Sequence, residues 1–238
     1  MDNEINERHW DDLKGTYNNV WQIAAKKILS EKETMFIKNF YSKKIGPNVL
    51  DIGIGNGRIL SALMANAHSD DIIKGIDISD EMIAVCQEKF AGKSNCEFKK
   101  CDIASSAVPF HEKFDFVTAV RVLKYNKNWI QIVEKISKQL NSGGIFVFTM
   151  PNKYSLNYFS SYKIPFYKSC KSELEILCKK NGLQIQEIIS FTRIPDVIYD
   201  HSNNRAFALL VAILESILSV ILGKTFFGRM FFIAAKKI

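Results

Sequence analysis

Short apolar runs closed by Gly, Asp or Pro recur along the chain at Asn48 to Ile52, Ile72 to Ile76, Cys96 to Lys100, Phe114 to Val120, Gly144 to Thr149, Leu183 to Phe191 and Met230 to Ala235. Their length and bounding residues predict seven strands. Between the first five lie stretches with helical spacing, roughly Arg58 to Ala67, Asp80 to Phe90 and Trp129 to Leu140, and an irregular link follows the third strand. Strands alternating with helices predict an α/β fold with a largely parallel sheet covered on both faces. The nearly unbroken apolar character of the central runs agrees, because a strand buried on both faces has no polar side to present.

The flanks depart from this rhythm. A helical arm of about Glu4 to Lys44 precedes the core, with aromatic turns around Trp10, Tyr17 and Trp21. After the fifth strand, 151–170 is irregular and rich in Tyr, Phe, Ser and Lys, too long for a minimal connection, and such loops commonly bind ligands. A second insertion is expected at 193–225. Within it, Ala206 to Leu222 is apolar except for Glu215, Ser216 and Ser219. At about 1.5 Å per residue this helix falls short of the ~30 Å hydrocarbon layer, and it carries a carboxylate, so packing on the sheet is expected before a membrane span. A homodimer face or peripheral membrane contact through 206–222 is the other reading.

A chain of 238 residues with 47% apolar and 24% charged residues has room for one large core and is neither disordered nor repetitive, so one domain over 1–238 is expected. Five cysteines without a C-x-x-C pair indicate neither a disulfide framework nor a zinc ribbon, and no metal site is expected. They suit a reducing, cytoplasmic setting, and the polar, acidic start lacks the pattern of a secretory signal. The net charge of +7 is unevenly placed: 1–150 carries +1 and 151–238 carries +6. An anionic small molecule, an acidic membrane surface or nucleic acid could each meet that C-terminal excess.

The densest chemical signal is Val49-Leu50-Asp51-Ile52-Gly53-Ile54-Gly55-Asn56-Gly57-Arg58, a strand entering a glycine-rich turn and then a helix. Such a turn presents backbone amides at a helix N-terminus, in the crevice beyond the carboxyl ends of the strands. Asp77 closes the second strand, where a carboxylate can accept from two ribose hydroxyls, and Asp102 closes the third, where it can accept from an exocyclic adenine amine. Three acids around one glycine turn describe a nucleoside site. The dinucleotide pattern G-x-G-x-x-G is not met, since Arg58 stands where its third glycine belongs, and a phosphate-binding G-x-x-x-x-G-K-[ST] loop is missing.

In D-x-G-x-G-x-G at 51–57, Asp77, C-D-I at 101–103, F-D-F-V-T-A-V at 114–120 and L-N-S-G-G-I-F-V-F-T at 140–149, the chain resembles the class I S-adenosylmethionine-dependent methyltransferases. The likeness is strongest to the bacterial small-molecule group that includes ubiquinone and menaquinone biosynthesis methyltransferases. It implies a Rossmann-like seven-stranded sheet of order 3-2-1-4-5-7-6 with the last strand antiparallel, and S-adenosylmethionine as cofactor. Gly53 and Gly55 would then lie against the methionyl part, with Asp51 near its ammonium. Asp77 would hold the ribose, Ile78, Met82 and Ile103 would enclose adenine, and Asp102 would receive its amine. Val120 would offer backbone contact to the amino-acid portion, and Tyr17 would close over the cofactor.

The chain departs from the resemblance at Arg121-Val122-Leu123-Lys124-Tyr125, where Tyr125 takes the place of a histidine common in relatives. Among the four histidines, only His201 falls in a segment expected to overhang the pocket, so His201 and then Tyr125 are the candidate bases. Tyr154, Tyr158, Tyr162 and Tyr167, with Phe159 and Phe166, are the candidate acceptor walls, suited to an apolar or ring-bearing metabolite. Interleaved Lys153, Lys163 and Lys168 suit an anionic group on it. The expected function is methyl transfer to an O, N or C atom of such a molecule. The alternatives are methylation of RNA, which the basic aromatic C-terminal third suggests but no N-P-P-[YF] motif supports, and a noncatalytic cofactor-binding partner protein.

Overall fold

The computed structural model describes residues 21–155 and 166–238. All seven expected strands form: β1 Asn48–Ile52, β2 Ile72–Asp77, β3 Cys96–Lys100, β4 Phe114–Ala119, β5 Leu140–Pro151, β6 Leu183–Phe191 and β7 Met230–Lys237. They make one sheet in the order β3-β2-β1-β4-β5-β7-β6. Strands β1 to β5 pair in parallel, and β7 runs antiparallel between β5 and β6. The helices are α1 Ala24–Tyr41, α2 Arg58–Met64, α3 Asp80–Lys89, α4 Trp129–Gln139, α5 Lys171–Lys180, α6 Asp196–His201 and α7 Arg205–Leu222.

Alternation along the strands sorts the core into two layers. Leu50 and Ile52 of β1 face Ile132, Val133 and Ile136 of α4 and Leu174 and Leu177 of α5. Val49 faces the opposite side, with Phe36, Ile37 and Phe40 of α1, Leu60 and Leu63 of α2, and Ile83 of α3. Each such buried side chain contributes roughly 1.5–3 kcal/mol. The far end of α1 is held by Asp71, which accepts from the Tyr41 hydroxyl and pairs with Lys44 at 2.5 Å. That end of the arm is thereby fixed at the start of β2, the edge of the sheet opposite the cavity.

Two expectations need adjustment. The helix expected to reach Leu140 ends at Gln139, and the chain turns straight into β5, which is longer than its apolar run suggested because Leu140 pairs with Phe114 before a register shift. The irregular segment is pinned where it leaves and returns: Asn152 bridges Ser169, the Lys153 N–H donates to the Ser169 carbonyl at 2.9 Å, and the Ser169 N–H donates to the Pro151 carbonyl at 2.9 Å. The largest correction concerns the apolar helix. Helix α7 does not pack on the sheet; Ala208, Val211 and Leu218 meet Ala25 and Ile28 of α1 and Ile198 and Tyr199 around α6. The sheet face was already filled by α1, so the late helix finds only a narrow seam on the outside of the arm.

Candidate active site

The sheet order reverses between β1 and β4, and the loops leaving their carboxyl ends open the crevice expected at a topological switch point. Gly53, Gly55 and Gly57 all have positive φ (70°, 49° and 73°), a region costly for other residues, which is why the turn after β1 is built of glycine. At Gly53 the approach is also close: a Cβ there would meet Val122 Cγ2 at 2.3 Å. The turn is held by β2, as the Gly53 N–H donates to the Ile76 carbonyl at 2.7 Å and the Gly55 N–H to Asp77 Oδ2 at 2.9 Å.

A cavity of about 230 Å³ lies over this turn. Gly53, Gly55, Asp77, Ile78, Met82, Asp102, Ile103 and Val120 all line it, so eight of the candidate cofactor residues converge on one space. Asp77 also accepts the Ser79 N–H at 3.0 Å, and Ser79 caps α3 by accepting the Met82 N–H at 3.3 Å, which sets Met82 against the cavity. Asp102 faces the space while capping its own turn, accepting from the Ala104 N–H at 2.9 Å and the Ser105 hydroxyl at 2.7 Å.

Asp51 lies just beneath, fully buried, and opposite Thr118 in the register of β1 with β4. The Thr118 hydroxyl donates to Oδ1 at 2.5 Å, while buried Oδ2 has no hydrogen-bond partner. Burial pushes the carboxyl up to about 7, a rise the Thr118 hydrogen bond moderates and the neighbouring Asp77 charge adds to. An unmet buried carboxylate oxygen below a glycine turn fits an incoming ammonium. Together with the carboxylate of Asp77 and the apolar slot of Ile78, Met82 and Ile103, this donor set fits S-adenosylmethionine.

The remaining wall is formed by Trp21, Arg121, Val122, Lys124, Tyr125 and Asn126. Arg121 follows β4 with φ 65°, a strained conformation for a residue with a side chain, and its N–H is held by Thr149 Oγ1 at 2.7 Å. Its guanidinium pairs with Glu33 of α1, which also pairs with Arg58 Nη2 at 3.0 Å. Trp21 lies beside both cations, 4.2 Å from Arg58 Cζ and 5.1 Å from Arg121 Cζ measured to its ring centroid. Sequence reasoning missed this cluster. Its signal was Glu33 itself, a charged residue three and four positions before Phe36 and Ile37 and so on the apolar face of the helix.

Lys124 is buried with its Nζ 4.5 Å from the centroid of the Tyr125 ring. Burial holds its ammonium well below the ordinary lysine value, aided by the Arg121 and Arg229 charges and opposed by Asp196 and Glu33. Arg229 in turn pairs with Asp196 of α6.

Of the two candidate bases, Tyr125 lines the cavity. His201 does not border it; it ends α6, exposed, with Nδ1 2.8 Å from the Val197 carbonyl oxygen. Tyr154 is 68% exposed and lies apart from the cavity. Tyr167 packs against the core, and its N–H donates to the Lys124 carbonyl at 2.7 Å, bringing the returning end of the irregular segment to the rim. Tyr17, Tyr158, Phe159, Tyr162 and Lys163 lie outside the described residues.

Sheet order, glycine turn and acidic strand ends define a nucleoside-binding α/β protein of the methyltransferase type. Residues 43–189 match the family model described as a methyltransferase domain. The chain belongs to this family, and it is a class I S-adenosylmethionine-dependent methyltransferase domain. It is 24% identical to a ubiquinone biosynthesis O-methyltransferase of Glaesserella parasuis, over 76% of this chain and 81% of that one. It is 27% identical to a demethylmenaquinone methyltransferase of Staphylococcus aureus, over 52% of this chain and 51% of the other. Its fold is similar to that of magnesium protoporphyrin IX methyltransferase from Synechocystis with bound SAH, at TM-score 0.62, 14% identity and 93% coverage of both chains. Several matches are partial: the matched stretch spans 43% of one curated relative and 60% of another.

Proposed function

We propose that the protein transfers a methyl group from S-adenosylmethionine to a small apolar or ring-bearing acceptor that carries an anionic group. The observation that carries this reading is the two-sided wall of one cavity. Asp77, Met82, Ile103 and Asp102 supply nucleoside chemistry on one side, while Trp21, Tyr125 and Arg121 supply aromatic surface and positive charge on the other. The ubiquinone and menaquinone relatives support a ring-bearing acceptor.

When bound, the cofactor supplies an activated methyl on a sulfonium. The chain itself has to hold, orient and dry the two reactants, and positioning of that kind supplies roughly 7 to 11 kcal/mol of barrier reduction. Asp51 and the glycine turn would bind the amino-acid end, Asp77 the ribose, and Ile78, Met82 and Ile103 the base. Trp21 and Val122 exclude water from the opposite wall, and Arg121 favours a negatively charged acceptor. The Tyr125 hydroxyl is the group on this wall suited to accept or relay a proton from the acceptor atom.

Acceptor screening tests the proposal. The purified chain, S-adenosylmethionine and a panel of phenolic acids, apolar carboxylates and uncharged phenols are followed by S-adenosylhomocysteine release. Turnover is expected among the anionic ring compounds, with Arg121→Ala raising KM for these more than for uncharged analogues. Turnover confined to RNA, or none with any small acceptor, overturns it.

A further inference from the structure

Helix α7 leaves most of its surface uncovered. Its inward seam is Ala208, Val211 and Glu215, whereas Phe207, Leu210, Ile213, Leu214, Ile217, Val220 and Ile221 are exposed, Leu210 at 62% and Val220 at 84%. Phe226 and Phe227 extend this surface just beyond the helix. Isolated exposed apolar residues are ordinary; a continuous face along an entire helix marks a binding surface.

Two polar groups of α7, Glu215 and Ser216, bond back to the protein. Glu215 accepts from Arg193 Nη1 at 3.0 Å and from the Tyr199 hydroxyl at 3.1 Å, all three buried, and also receives the Arg193 N–H. Ser216 receives Lys32 Nζ of α1 at 3.2 Å. With a mean hydropathy of 2.2, α7 is long and apolar enough by composition to cross a membrane. Its packing on α1 and α6, with the buried ion pair from Glu215 to Arg193 just ahead of α6, instead holds it lengthwise on the molecule, a geometry suited to lying in an interface rather than crossing it.

We infer that the exposed face of α7, with Phe226 and Phe227, docks on an anionic lipid bilayer surface. Charge complementarity selects this occupant. Exposed Arg205 opens the helix, and Lys224 follows it with a side chain 74% exposed and only a 3.7 Å pair with Glu187. The stretch 151–238 carries +6 of the chain's net +7, while the one acid of α7 is buried. Cations at both ends of an apolar helix, with aromatic side chains near each end, match the headgroup and acyl layers of an acidic leaflet. A second copy fits less well. Pairing two α7 helices about a twofold axis sets Arg205 against its twin or against Lys224, with no exposed acid on the helix between them.

The docking face shares no residue with the cofactor cavity, so the two can fail independently. The test is cosedimentation of the full chain with phosphatidylcholine vesicles, with and without phosphatidylglycerol, beside S-adenosylhomocysteine calorimetry. Wild type is expected to pellet with the acidic vesicles, less so as salt rises. Leu210→Glu combined with Ile217→Glu should abolish pelleting while cofactor binding and melting temperature hold. Arg205→Glu and Lys224→Glu should each weaken binding about fivefold or more. A soluble wild type with both vesicle types overturns the inference. Equal pelleting of wild type and the Leu210/Ile217 variant also overturns it, as does a self-associating chain that ignores vesicles and is split by that same variant.

Discussion

Asp77 accepts the Gly55 N–H at 2.9 Å, so the acid that ends β2 restrains the turn that ends β1. The same carboxylate accepts from Ser79 at the start of α3, tying together three parts of the cavity wall. A side chain with that many duties both shapes the site and offers it charge.

Removing this carboxylate should therefore injure affinity and stability together. Asp77→Ala loses hydrogen bonds to an ionised group, each worth about 1.5–3 kcal/mol, so S-adenosylhomocysteine affinity is expected to fall by at least about tenfold. The melting temperature should drop as well, because the Gly55 and Ser79 amides lose their acceptor. Calorimetry and thermal unfolding on the same preparation check both.

Asp51 sets a pH dependence. Its folded-state pKa is raised from 3.8 to about 7, so the folded chain holds a proton that the unfolded chain releases. The stability of the unliganded protein should fall as pH rises from about 4 to about 7 and then level off. An ammonium placed near Oδ2 favours the ionised form, so cofactor binding should expel that proton below about pH 7 and strengthen as pH rises through that value. Calorimetry in buffers of differing ionisation enthalpy should show proton release at about pH 6 that disappears in Asp51→Asn. Equal release by both proteins removes Asp51 from this role.

Lys124 presents the opposite sign. Its folded-state pKa is lowered, so the stability cost is present at neutral pH and fades only as pH climbs toward the ordinary lysine value of 10.5. Lys124→Met removes the buried amine while keeping a similar shape. Its melting temperature at neutral pH is expected to rise. A variant that is less stable at every pH contradicts the cost assigned to this ammonium.

The pattern of apolar runs revealed the sheet because each central strand is buried on both faces and must be continuously apolar. The acids around the glycine turn were legible because strand ends and their spacing fix where Asp51, Asp77 and Asp102 fall. Glu33 and Lys124 were not legible as site residues, since their positions depend on how α1 crosses the sheet and how the 3₁₀ turn Leu123–Tyr125 folds inward. The misplaced packing of α7 has a similar origin: hydrophobicity announces that a helix needs cover, not which surface is still vacant to provide it.

The geometry also separates the two candidate bases. The Tyr125 side chain borders the cavity that holds the proposed cofactor residues, whereas His201 is exposed at the end of α6 with one ring nitrogen against the Val197 carbonyl. A group that moves a proton in the transition state has to reach the acceptor atom, and its loss costs about 10² to 10⁴ in rate. Tyr125→Phe is expected to lower kcat by about a hundredfold with S-adenosylhomocysteine affinity retained, and His201→Ala to leave both nearly unchanged. Parallel kinetics and calorimetry on the two variants decide the matter. If instead His201→Ala alone lowers kcat, α6 must move over the cavity during turnover, and the proton path runs through the arm side of the site rather than through the turn after β4.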